Sequence, residues 1–109
     1  MREIKFRLFT NVDKKMIQHE ELMTMPIRDW INHPNLMQFT GLHDKNGKEI
    51  FEGDILKYDG MPHLYSIVEF FDAAFWACDR NGKTVIGEPK FVEVLGNIYE
   101  NPELLESKP

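Results

Sequence analysis

Leu36-Met37-Gln38-Phe39-Thr40-Gly41-Leu42-His43-Asp44-Lys45-Asn46-Gly47-Lys48-Glu49-Ile50-Phe51-Glu52-Gly53-Asp54-Ile55 reads, in one continuous stretch, as strand, turn, strand and bend. Leu36–Thr40 is a strand that ends at Gly41. Asp44–Lys48 carries Asn46-Gly47, a pair suited to a tight hairpin turn because the central residues of such turns take positive φ. Glu52-Gly53-Asp54 then leads into Ile55-Leu56-Lys57-Tyr58, the next strand. Bulky residues punctuated by glycine are the mark of short antiparallel strands.

Working outward, the same grammar continues. Asp59-Gly60-Met61-Pro62 is a loop, and Leu64–Phe71 is rich in β-branched and aromatic residues. Asp72-Ala73 allows a sharp reversal into Phe75-Trp76-Ala77-Cys78, and Asn81-Gly82 offers another turn into Lys83–Ile86. Phe91–Leu95 is the last strand, closed by Gly96. Upstream, Ile4, Phe6 and Leu8 alternate with Lys5, Arg7 and Phe9, the pattern of a half-buried strand, and a turn over 11–15 leads to a short strand at Met16-Ile17. The stretch 20–35 is the least regular, with a short helix from Pro26 that stops at His33-Pro34. In the tail, Asn101 is an N-cap, Pro102 fits the first helical position and Glu103 favours the positive end of the helix dipole. Roughly six or seven short strands predict a mainly β fold, a small barrel or sandwich with an N-terminal β-hairpin extension and short helical segments.

Length and composition bound the rest. At 109 residues, one core and one domain over 1–109 are expected, with 1–35 holding the N-terminal strands and irregular segment and 36–105 the barrel and C-terminal turn. A hydrophobic share of 42% is enough for a packed core and excludes a disordered chain. No apolar run approaches the ~20 residues that span a bilayer, and the charged start of the chain is not a secretory signal, so a cytoplasmic site is expected. Cys78 is the single cysteine, which rules out an intramolecular disulfide; its place in Ala74–Cys78 reads as a buried strand position. Net charge is -5, with Arg2, Lys5, Arg7, Lys14 and Lys15 concentrated near one end and Glu93, Glu100, Glu103 and Glu106 near the other. An acidic chain disfavours nucleic acid, whose binding draws on phosphate neutralisation.

Residues that carry chemistry elsewhere do not form constellations here. His19, His33, His43 and His63 lack the close pairing of zinc ligands and read as scattered surface histidines. Glu49, Glu52, Asp54 and Asp59 suggest a hydrolase pair or a magnesium site, but read better as a solvated acidic rim. There is no phosphate-cradling glycine loop. No catalytic residue, metal site or cofactor is therefore expected. Aromatics are the surplus: Tyr58, Tyr65, Phe70, Phe71, Phe75, Trp76 and Phe91 exceed what a small barrel needs inside. Alternation sends one of Phe70 and Phe71, and one of Phe75 and Trp76, away from the core. Phe71, Trp76, Tyr65 and Arg80 are the candidate surface for binding.

Three stretches resemble the phage-encoded YopX family: Met1–Arg7, Leu36–Ile55 and Glu93-Val94-Leu95-Gly96-Asn97-Ile98-Tyr99-Glu100-Asn101-Pro102-Glu103-Leu104-Leu105. The resemblance implies an SH3-like barrel around the Gly53-Asp54-Ile55 stretch, a phage origin and self-association, and it implies no activity. Residues 16–35 follow no recognisable part of that pattern. Three functions are then expected in order: an oligomeric protein-binding module with a host or phage partner; a binder of single-stranded nucleic acid through Arg2, Lys5, Arg7, Lys57, Arg80 and Lys83; and an enzyme using the Glu49–Asp59 carboxylates.

Overall fold

A computed structural model describes residues 3–79, 82–86 and 89–106, apart from the side chains of Pro62, His63 and Pro89. Its strands are β1 (Phe6–Thr10), β2 (Lys15–Ile17), β3 (Leu36–His43), β4 (Glu49–Phe51), β5 (Asp54–Tyr58), β6 (Met61–Phe71), β7 (Ala74–Asp79), β8 (Gly82–Val85) and β9 (Val92–Asn97). One helical turn, α1 (His19–Leu22), and 3-10 turns at Ile27–Asp29, Pro89–Phe91 and Pro102–Leu105 complete it. The mainly β expectation holds, and the sheets curl into a half-barrel. Four strands are ordered β2-β1-β3-β4 and five are ordered β8-β7-β6-β5-β9, with antiparallel neighbours throughout. Strand β3 therefore pairs with β1 across residue 35, tying the N-terminal hairpin into the first sheet.

β1 departs from the half-buried pattern. Arg7, Leu8 and Phe9 are all buried, while Ile4 is exposed. Leu8 packs with Leu22 and Trp30 on one face, and Phe9 packs with Met37, Phe39 and Phe51 on the other. The irregular stretch before β3 thus has a structural task. Leu22 and Trp30 close the outer face of the first sheet, and Trp30 packs on Phe6 at 5.7 Å between ring centroids. Its 3-10 turn at Ile27–Asp29 is shorter than the helix expected from Pro26.

Glycine does not end β3. The strand runs through Gly41, whose φ of 91° lies where the register slips between Phe39 and His43. The Thr40 hydroxyl donates to the Ile50 carbonyl at 2.8 Å and accepts from the Leu42 N–H at 3.1 Å, so a side chain takes up backbone groups at the bulge. The following turn closes with the Gly47 N–H on the Asp44 carbonyl at 3.0 Å.

The second sheet buries Leu56, Val68, Ala77, Val92 and Val94 against Ile50 of β4. Three devices fasten the sheets. The Asp44 carboxylate accepts the N–H groups of Asn46, Lys48 and Val94, each at 2.9 Å, which anchors the β3–β4 hairpin to β9. Burial pushes the Asp44 carboxyl up, but those three N–H groups outweigh it and the net shift is downward. Gly53, at φ 88°, sits under Met37 and receives the Ile98 N–H on its carbonyl at 2.9 Å. Asp54, buried, pairs with the buried Arg7 guanidinium of β1 and accepts the Phe51 N–H at 2.7 Å.

The tail does not start as expected. Asn101 makes no side-chain cap to the 3-10 turn; its side-chain oxygen turns back to accept the Asn97 N–H at 3.1 Å. Asn97 in turn accepts the N–H groups of Tyr99 and Glu100 at 3.0 and 2.8 Å. A Cβ on Gly96 would lie within 2.9 Å of Oδ1, Cγ and Cβ of Asn101, so glycine there is a requirement of close approach.

The β6–β7 hairpin turns on Asp72 and Ala73, at φ 50° and 62°. That is the twist of a two-residue hairpin, achieved without glycine. Ala73→Gly is expected to raise stability by about 0.5–1 kcal/mol, the left-handed strain on alanine less the entropic cost of glycine. Urea unfolding checks this, and a loss of stability would contradict the turn geometry.

Candidate functional site

Alternation along β6 and β7 sorts their side chains. Val68 and Ala77 form a cross-strand pair on the core side, and so do Phe70 and Phe75, whose centroids lie 4.9 Å apart. Phe75 packs against the core, whereas Phe70 is 48% exposed where the hairpin projects beyond it. Tyr65, Ile67, Glu69 and Phe71 of β6 share the opposite, outer face with Trp76 and Cys78 of β7. Cys78 is accordingly half-buried, not the core residue its surroundings suggested; Ala77 takes the interior position and so turns both its neighbours outward. Burial pushes the Cys78 thiol up, and the Glu69 and Asp79 carboxylates push it further.

Four side chains meet at the hairpin end of this outer face. Phe71 and Trp76 stack at 5.9 Å with 28° between planes. The indole N–H donates to the Phe71 carbonyl at 2.9 Å, which fixes the ring. Lys83 of edge strand β8 places its ammonium 4.6 Å from both ring centroids and 3.2 Å from the Asp72 carboxylate. Beyond it, all of β8 is exposed, Val85 at 67%. Tyr65 lies half-buried farther along β6 on the same face, and Arg80 falls outside the described residues. Phe71 and Trp76 are thus adjacent, with Tyr65 apart from them. Asp72 and Lys83, which complete the corner, follow from hairpin register and have no sequence pattern of their own. At the β8 end of the sheet, a groove of about 480 Å³ is lined by Tyr58, Met61, Leu64, Ser66, Asp79 and Thr84, among others.

The expected acidic rim is not one surface. Asp54 is buried, because its carboxylate is the partner of Arg7. Glu49 receives Lys5 at 2.6 Å, Asp59 receives Lys45 at 3.0 Å, and Glu52 accepts the Gln38 N–H at 3.3 Å. Burial raises the Glu52 carboxyl, and burial likewise raises Asp54 despite the opposing Arg7 charge. Each carboxylate therefore faces its own partner. His19 and His33 accept backbone N–H groups of Phe6 and Asn35, and His43 meets Phe39 edge-on. Among the described residues, no three His, Cys, Asp or Glu side chains gather as ligands for an ion. No helix among them is long and apolar enough to cross a membrane.

Two curled antiparallel sheets, clamped by the buried Arg7–Asp54 ion pair and faced with an aromatic corner, define a small mainly β domain. The chain belongs to the YopX protein family, which matches it over residues 27–106. The second and third of the stretches that resemble that family lie inside this match, whereas Met1–Arg7 lies outside it, and residues 27–35, expected to follow no part of the family pattern, lie within it. Its fold is similar to the crystal structure of protein EF1440 from Enterococcus faecalis, at 28% identity and a TM-score of 0.68, over 96% of this chain and 99% of that one. No curated protein matches the chain.

Proposed function

We propose that the protein is a non-catalytic protein-binding module encoded by a bacteriophage or prophage, working as a homo-oligomer in the cytoplasm of the bacterial host. The observation that carries this reading is the outer face of the second sheet. Phe71 and Trp76 lie there, half-buried, beside the exposed strand β8, whose outer edge has no neighbour in the sheet order among the described residues. Aromatic side chains on a rigid sheet beside an open edge supply both anchoring area and backbone groups for a partner.

Single-stranded nucleic acid, the alternative, fits less well. Two of the basic side chains it would use are held within the molecule, Arg7 by the buried Asp54 and Lys5 by Glu49. Salt-dependent binding to oligonucleotides would favour it.

Light scattering is expected to return a mass above the 12.9 kDa monomer, reduced by Trp76→Ala. Capture from infected cells with wild type and Trp76→Ala is expected to yield partners that the variant fails to hold. A monomer at high concentration and identical capture by the two proteins would refute the reading.

A further inference from the structure

We infer that the corner formed by Phe71, Asp72 and Trp76 is a recognition site for a basic side chain of a partner protein, best filled by an arginine guanidinium, and that Lys83 of the chain itself occupies it until displaced. This deepens the protein-binding reading and rests on it.

Two ring faces and a carboxylate converge on one point, and a cation of the chain already stands there. The Lys83 ammonium is 4.6 Å from each ring centroid and 3.2 Å from Asp72. The corner is rigid where it needs to be. The indole is tied to the Phe71 carbonyl, and the turn holds Asp72 at φ 50°. Ring quadrupoles attract cations over their faces, and a carboxylate adds direction. A guanidinium suits this better than an ammonium, since its flat surface stacks on the indole while its N–H fork engages the carboxylate.

Charge selects the occupant. The chain carries -5 overall, and exposed Glu69 lies directly across from Trp76 on the same face. An acidic segment would meet Asp72 and Glu69, whereas a basic one is complementary to both. Lys83 is a weak competitor. It sits on a wholly exposed edge strand, and its ion pair with Asp72 is open to solvent on both sides. Exposed ion pairs and exposed cation–π contacts hold little. Lys83 therefore covers the rings in the free protein and yields to a partner. The sign of its removal follows: a ligand that replaces Lys83 binds tighter without it.

The test is NMR titration of the full chain, reading the Trp76 indole N–H, with glycine-spaced peptides bearing arginine, lysine, citrulline or glutamate at low salt. The arginine peptide is expected to shift the signal most, lysine less, and citrulline and glutamate little. Lys83→Met is expected to tighten arginine binding about three- to tenfold, and Asp72→Asn to weaken it by about as much. Weaker or unchanged binding by Lys83→Met, or an equal response to the glutamate peptide, would overturn the assignment. Self-association and capture that depend on Trp76 but ignore Asp72 and Lys83 would overturn this assignment alone. A wild-type protein that is monomeric, captures the same proteins as Trp76→Ala and leaves the indole signal unmoved by the arginine peptide would remove the broader reading as well.

Discussion

Arg7→Met is expected to cost about 3–5 kcal/mol at neutral pH, because it leaves the Asp54 carboxylate buried without its counter-charge. That is a large part of the roughly 5–15 kcal/mol that holds a domain together. The guanidinium sits between the Asp54 carboxylate and the Phe51 ring, 4.3 Å from the ring centroid, and its Nε has no hydrogen-bond partner among the described residues. The pair is thus imperfectly satisfied, yet its disruption is costly. Burial already raises the Asp54 carboxyl, against the pull of Arg7 and the Phe51 N–H. Without Arg7 the rise is greater. A carboxyl raised on folding favours the folded state below its unfolded value of about 4 and loses that advantage as pH climbs through the folded value. The deficit of Arg7→Met should therefore shrink in acid and grow toward neutrality. Arg7→Met/Asp54→Leu should recover much of the loss, since both charges are gone. Urea unfolding from pH 4 to 8 checks this, and a deficit that is constant with pH and unrelieved in the double variant would contradict it.

Asp44→Asn is expected to cost about 2–3 kcal/mol, by removing a charge-assisted acceptor and turning an amide donor toward a backbone N–H. The wild-type carboxylate receives Asn46 and Lys48 on Oδ1 and Val94 on Oδ2. An asparagine can satisfy one side only. Here the pH sign is opposite to that of Asp54. Asp44 is lowered on folding, so its contribution is present above an unfolded value of about 4 and fades as pH falls through the folded one. Wild type should accordingly lose stability in strong acid that Asp44→Asn has already lost. Hydrogen exchange at the Val94 amide should quicken in the variant, and unaltered protection there would show that the hairpin does not depend on this carboxylate.

Local order was legible because its causes are local. Alternation required one of Phe70 and Phe71, and one of Phe75 and Trp76, to turn outward, while the strand register decides which, and Asp72-Ala73 marked the reversal between their strands. What escaped lay in pairings between distant residues. Arg7 and Asp54 are 47 positions apart, so no spacing joined them, and a carboxylate in an acidic run looked solvated. Leu22 and Trp30 sat in a stretch without period, because a cover over a sheet needs only two anchors. Gly41 looked like a strand end since a bulge and a terminus share the same glycine signal. Asn101 looked like a cap because its preference for that position is general, whereas its true partner, the Asn97 N–H, depends on how Gly96 brings the chains together. The same limit applied to the candidate surface: its rings were visible, but the register that delivers Lys83 to them was not.

The family match begins at residue 27, but the charge that neutralises Asp54 arrives from residue 7. A fragment trimmed to the recognisable portion would forfeit β1, β2 and α1, uncover Met37 and Phe39, and strand an anion in the interior. The span by which kinship is detected and the span that can fold unaided are therefore different lengths of this polypeptide, and expression boundaries should follow the second.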